Sequence, residues 1–272
     1  MRSVFPESVA VPEFTPLQNP LSPGNAPDEN QIKANEQLFE AIDRKDVVML
    51  KAALSAGADA NAVNSWGASA LYQACGWSHS EPIVRELLEH GANPDGTDEE
   101  YVPLCSVAEY AVPECVELLL SYGADVNRCL SPHVPTPLQC AVEADNCNLG
   151  SVEENDDERY VRTIELLLSA GADVMAADKW GISHNVLEMA ADKLLLFTDD
   201  LYEEYVRFCE NPADEATDMA EVFAPGYYTF VALRKTYQMM INSPTNKDGD
   251  DPLAGTHFFP LLSKMRHLLR LF

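Results

Sequence analysis

The chain is short of cations. Eighteen lysines and arginines face 44 aspartates and glutamates across 272 residues, a formal net charge of −26 at pH 7. Such a surface repels a phosphate backbone, so direct nucleic-acid binding is not expected. The chain also lacks any run of eighteen apolar residues, so no membrane span is expected. Its opening, "SVFPESVAVPEFTPLQNPLSPGNAP", is too rich in proline to form the apolar core of a signal peptide. A cytoplasmic chain with a disordered arm over residues 1–30 is expected. No Cys-x-x-Cys pair occurs among Cys75, Cys105, Cys115, Cys129, Cys140, Cys147 and Cys209. An odd count without that pair points to neither a disulfide framework nor a zinc site, but to small apolar core residues.

Catalytic signatures are missing too. His79, His90, His133, His184, His257 and His267 are scattered, none in a nucleophile-base motif, and no glycine loop is built to cradle phosphate. No enzyme activity and no cofactor are expected. Two acidic runs raise the question of calcium, and both fail on spacing. With Gly150 at the sixth position of a calcium loop, Asp145 comes first, but Cys147 and Leu149 stand where oxygen ligands are needed. "NKDGDDP" at 246–252 puts Gly255 where the closing glutamate should be. Solvated charge is the better reading of both, and no metal is expected.

What is present is a period. Glycine recurs at Gly57, Gly91, Gly123 and Gly171, each time opening "GAD" or "GAN". Each follows an apolar helical stripe: "VVMLKAAL", "IVRELLEH", "CVELLLSY" and "TIELLLSA". Glycine there is a helix stop, since it enters the left-handed region without penalty. After each of the first three comes a second helix start, "SALYQAC", "VPLCSVAEY" or "TPLQCAVEA", with Pro103 and Pro137 placed for a first helical turn.

This order of helix, turn, helix, glycine stop and loop resembles the ankyrin repeat. "TPLQCAV" at 136–142 and "VELLLSYGADVN" at 116–127 match its framework closely, and "GASALYQAC" at 67–75 moderately. The family's histidine is replaced by Tyr72, Cys105 and Gln139, so its hydrogen bonds must be replaced or absent. The resemblance implies an all-α solenoid with β-hairpin-like loops over residues 31–210. Its units are 34–66, 67–100, 101–133, 134–180 with an acidic insertion at 145–158, and a capping unit at 181–210 containing two helices. A C-terminal helical extension, 211–272, is expected to hold helices near 226–242 and 258–272. The last would cover the end of the stack with Leu261, Met265, Leu268 and Phe272, dock on a partner, or lie on a membrane surface.

The same resemblance implies binding of another protein, as a monomer, through loop tips and the face of the first helices. Fingertip candidates are Ser65, Trp66, Asp98, Glu99, His133, Lys179 and Trp180. Groove candidates are Gln73, Trp77, Ser106, Glu109, Tyr110, Cys140 and Glu143. Trp66 and Trp180 each precede a glycine at the same place in their units, as partner anchors or as packing between fingers. Three functions are weighed: a non-catalytic interaction module; an acidic inhibitor or immunity-type protein neutralising a basic enzyme or toxin; and an adaptor or effector acting through 211–272. That last segment carries +3 over 222–272 against −29 for the rest.

Overall fold

The structure, a computed structural model, describes residues 29–77, 80–97, 101–129, 135–144, 156–176, 185–210 and 219–264. The arm at 1–28, most of the acidic insertion and the last eight residues lie outside that set. Eleven helices follow one another among the described residues: α1 Glu29–Asp43, α2 Val47–Ser55, α3 Ala70–Ala74, α4 Glu81–Glu89, α5 Pro103–Glu109, α6 Pro113–Ser121, α7 Pro137–Glu143, α8 Asp156–Ser169, α9 Val186–Glu210, α10 Met219–Ile241 and α11 Phe258–Lys264. An isolated bridge joins Val63 and Ser69.

The helices form two layers. The odd-numbered helices α1 to α9 pack in sequence on one another, and the even-numbered helices α2 to α10 do the same behind them. One apolar core runs between the layers. Leu38, Leu71, Leu104, Leu138 and Leu187 recur in it from the first layer, and Leu54, Leu87 and Leu119 from the second. Helices α2 to α7, of five to nine residues, are too short to hold their own hydrogen bonds in water, so burial of their apolar faces against neighbours stabilises them.

Local chemistry sets where each helix begins and ends. Thr136 caps α7 in a reciprocal box with Gln139, and Ser69 caps α3. Pro103 and Pro137 occupy first turns as expected. Gly57, Gly91, Gly123 and Gly171 adopt φ of 97°, 85°, 90° and 92°. At each stop the following alanine amide reaches back to close the helix, as Ala58 N–H does to the Ala53 carbonyl at 3.0 Å.

One polar device, unforeseen in the sequence, joins consecutive units. The third residue after each glycine stop, counting the glycine, donates its amide to a side-chain oxygen, from the unit before at three of the four stops. Asn93 N–H goes to Asn61, Asp125 N–H to Asp95 and Asp173 N–H to Asn127, while Asp59 N–H goes to Asn35 within the first unit, all at 2.7–2.8 Å. Asn61 and Asn127 also donate their amide nitrogens to the Gly91 and Gly171 carbonyls. The acceptors Asn61, Asp95 and Asn127 are held in place because their own N–H groups bond to Asp59, Asn93 and Asp125 in Asx turns. In the fourth unit the corresponding residue is Met175, which has no such oxygen. There Thr245, from the loop after α10, receives Val174 N–H and donates to the Ala172 carbonyl.

The C-terminal part differs from the sequence reading. Two helices were expected within 181–210, but α9 is one helix of 25 residues. No glycine or proline interrupts it, and Thr198 bonds back to the Leu194 carbonyl at 2.7 Å instead of breaking it. The helix expected near 226 starts at Met219 and runs through Pro225 and Gly226. It packs on α8 and α9 and continues the second layer. α8 begins at Asp156, so residues 156–158 of the expected acidic loop form its first turn. α11 packs on α9 through buried Phe258 and Leu261, with His257 bonded to Asp199 at 2.9 Å.

Cys75, Cys105, Cys115 and Cys140 are buried as expected, whereas Cys129 is exposed. Burial pushes the Cys75 thiol well up and the Cys115 thiol to about 11 from 9.0. These raised values favour the folded chain at neutral pH. That advantage is complete below pH 9 and fades as pH climbs from 9 toward 11, when unfolded thiols ionise and folded ones do not.

Asn127→Ala removes two hydrogen bonds across a joint and is expected to cost about 1–3 kcal/mol in urea unfolding. A loss below about 0.5 kcal/mol would place the joint's stability elsewhere. Stability is also expected to drop between pH 9 and 11, less steeply in Cys115→Ala, and a parallel drop in both proteins would remove Cys115 from the cause.

Candidate partner interface

The first finger is the best-defined loop tip. After the Asx turn at Asp59, the chain reverses so that Asn64 N–H bonds the Ala68 carbonyl and Ala70 N–H the Ala62 carbonyl, both at 2.9 Å. Gly67, at φ 83°, makes the reversal, and the Val63–Ser69 bridge closes it as a hairpin-like loop. Asn64 organises the tip: its Oδ1 accepts Trp66 N–H at 2.9 Å and Ala68 N–H at 3.1 Å. Its Nδ2 donates to Gln73 Oε1 at 3.0 Å, and Gln73 Nε2 donates to Asp43 Oδ1 at 2.5 Å. A chain of polar contacts thus ties the finger to α3 and α1.

On this braced tip Trp66 is 79% exposed and Val63 51%. Trp66 therefore does not pack against a neighbouring finger, and Ser65 beside it is exposed as well. A fixed indole open to solvent presents a large apolar area with few rotamers to freeze, which suits a binding anchor. The next finger leans on this one: Thr97 Oγ1 donates to the Gly67 carbonyl at 3.4 Å, and Arg128 donates to the Thr97 carbonyl at 3.3 Å. Asp98, Glu99, His133, Lys179 and Trp180 lie outside the described residues.

The groove candidates separate. Gln73 is half-buried in the network above. Trp77 is half-buried at the turn after α3, with the Lys45 ammonium 5.2 Å from its ring, so it serves the turn. Ser106 and Cys140 were expected to face a groove but are buried at 6% and 7% exposure. Adjacent first-layer helices approach so closely there that this register faces the neighbouring helix. Glu109, Tyr110 and Glu143 are exposed.

A row of carboxylates was not anticipated as a unit. Asp43, Glu109 and Glu143 are the last residues of α1, α5 and α7, and Asp192 lies at the corresponding place in α9. All four are exposed, and none of the three helices that end there has a basic residue in its last turn. Carboxylates at a helix C-terminus oppose its dipole, at a cost of about 0.3–1 kcal/mol each. Aligning "LFEAID", "LCSVAE" and "LQCAVE" would have exposed the row. At the family's histidine position, Cys105 Sγ donates to the Pro135 carbonyl at 3.3 Å and Gln139 serves its own cap, so one inter-unit bond is replaced. Tyr72 stacks with Tyr101 at 5.1 Å between centroids. Among the described residues no three His, Cys, Asp or Glu side chains gather as a metal site.

Two layers of short antiparallel helices, joined by glycine stops and loop tips, define a solenoid of stacked helical repeats. The family profile described as ankyrin repeats in three copies matches residues 38–129. Residues 38–129 are ankyrin repeats, and the remaining helices continue the same two layers. The chain is 39% identical over 97 residues to the human ankyrin repeat and SOCS box protein 6, covering 35% of this chain and 20% of that protein. It is 40% identical over 87 residues to the putative ankyrin repeat protein L91 of Acanthamoeba polyphaga mimivirus, covering 32% and 12%. It is 32% identical over 108 residues to the putative ankyrin repeat protein FPV024 of fowlpox virus, covering 39% and 18%. The similarity therefore spans a fifth or less of these relatives' lengths.

Because Trp66 touches little of its own chain, Trp66→Ala is expected to leave unfolding free energy within about 0.5 kcal/mol of the parent. Asn64→Ala, which strips the tip of three hydrogen bonds, is expected to cost about 1–3 kcal/mol. A Trp66→Ala cost above about 1 kcal/mol would restore the packing role.

Proposed function

We propose that this chain is a non-catalytic module that binds another protein through its first finger and the exposed ends of its first-layer helices. Ankyrin repeats are a general protein-binding module, and no catalytic domain is found. The observation that carries the reading is Trp66, exposed yet held by Asn64 and braced to two helices. The carboxylate row supplies the second element: it draws a basic partner and orients it along the stack. No helix among the described residues is long and apolar enough to cross a membrane. The module works as a monomer in the cytoplasm, without cofactor or nucleic acid.

The acidic inhibitor is one form of this reading, in which the partner is a basic enzyme or toxin whose cationic site the row covers. The net charge of −26 favours it. An effector confined to residues 211–272 is less favoured, because α10 is built into the second layer. One matched relative carries a SOCS box by name.

Capture of partners with the parent chain, with Trp66→Ala plus Trp180→Ala, and with Asp43→Asn plus Glu109→Gln plus Glu143→Gln tests the reading. Loss of a truncated anchor is expected to weaken a specific partner at least about tenfold. The carboxylate variant is expected to slow association and to flatten its dependence on salt. Equal capture by all three proteins would refute the finger and the row together.

A further inference from the structure

Away from the finger, the second layer carries a groove of about 850 Å³ between α8 and α10. Its floor and walls include Leu168, Val231 and Met239, and Val231 is 41% exposed. Arg234 and Lys235 line the same groove, both exposed. Neither has an ion-pair or hydrogen-bond partner for its side chain among the described residues. The one carboxylate in the lining, Glu165, is bonded to Arg162 at 3.0 Å.

Two unneutralised cations in one groove are unexpected in a chain with 44 acidic and 18 basic residues. The neighbouring groove of the same layer, across α4, α6 and α8, mixes both signs. Glu81, Glu114 and Glu117 line it with Arg85 and Arg159, and Arg85 is closed by Glu81. The architecture of the layer therefore does not produce the cationic groove; the side chains of α10 do. Val231, Lys235 and Met239 follow at i, i+4 and i+8 on one face of α10, an apolar, cationic, apolar track along the groove.

We propose that the α8–α10 groove is a second docking site, for an acidic segment of a partner protein with a carboxylate set between two apolar side chains. The apolar pair would cover Val231 and Met239, while the carboxylates would meet Lys235 and Arg234. A segment of that pattern complements both the sign and the spacing of the track. A purely anionic ligand would leave the apolar positions bare. The site lies on the second layer and does not depend on the finger reading.

The test is fluorescence anisotropy on the full chain. The probe is a fluorescein-labelled glutamate peptide with leucine at every third or fourth position, and its control replaces leucine with serine. Saturable binding of the leucine peptide is expected, with the serine peptide clearly weaker. Arg234→Glu plus Lys235→Glu is expected to weaken binding about tenfold or more, and Arg234→Gln plus Lys235→Gln by less. Lys247→Glu, a cation outside the groove, is expected to leave it unchanged, with helical content by circular dichroism equal in all variants. The proposal fails if the leucine peptide does not saturate, or if both peptides bind equally. It fails too if the glutamine pair, folded, binds as tightly as the parent. If the chain dimerises with concentration and the charge variants abolish the dimer, the groove belongs to a second copy and the proposal is overturned.

Discussion

Everything in this stack depends on how one unit is held to the next, and the holding point is the glycine stop. The left-handed glycine turns the chain out of the second helix and aims the amide two residues later at the preceding unit. A side-chain oxygen, itself fixed by an Asx turn, receives that amide. Burial of apolar faces supplies most of the stabilisation but is tolerant of small sliding. The amide joint is directional, so it fixes the spacing of the units and hence the spacing of the fingers. Where Met175 interrupts the series, Thr245 makes the joint from the other side, and the last pair of helices can then be long.

A surface built this way varies its loop tips and helix ends without disturbing the frame. The first finger uses that freedom to hold an exposed indole. The first-layer helices use it to place Asp43, Glu109 and Glu143 where the helix dipole disfavours them. The charge asymmetry along the sequence acquires a location as well: part of the basic excess near the C-terminus stands as Arg234 and Lys235 in a groove of the second layer.

The repeat was legible because glycine stops and leucine stripes recur at nearly constant spacing, and Thr136, Pro103 and Pro137 announce helix starts. The joints were written there too, as Asp-Ala-Asn at 59–61, Asn-Pro-Asp at 93–95 and Asp-Val-Asn at 125–127, but pairing across units shows only in three dimensions. The end of the stack was misread for physical reasons. Thr198 donates to the Leu194 carbonyl and so stays within the helix. Pro225 and Gly226 look like a helix start, yet α10 runs through them. Trp66 was singled out from its place in the unit, and the fold leaves it exposed. Ser106 and Cys140 were misplaced, since a short helix gives no reliable register for telling the groove face from the inter-helix face.

The central claim is that one continuous stack runs from α1 to α10, its last joint closed by Thr245. Hydrogen exchange resolved by segment tests it most directly. The account predicts that residues 229–241 of α10 exchange with the same protection as residues 160–169 of α8, and that Thr245→Val lowers both together. Rapid exchange across α10 while α8 stays protected, in the parent chain, would contradict it and return residues 211–272 to a separate extension.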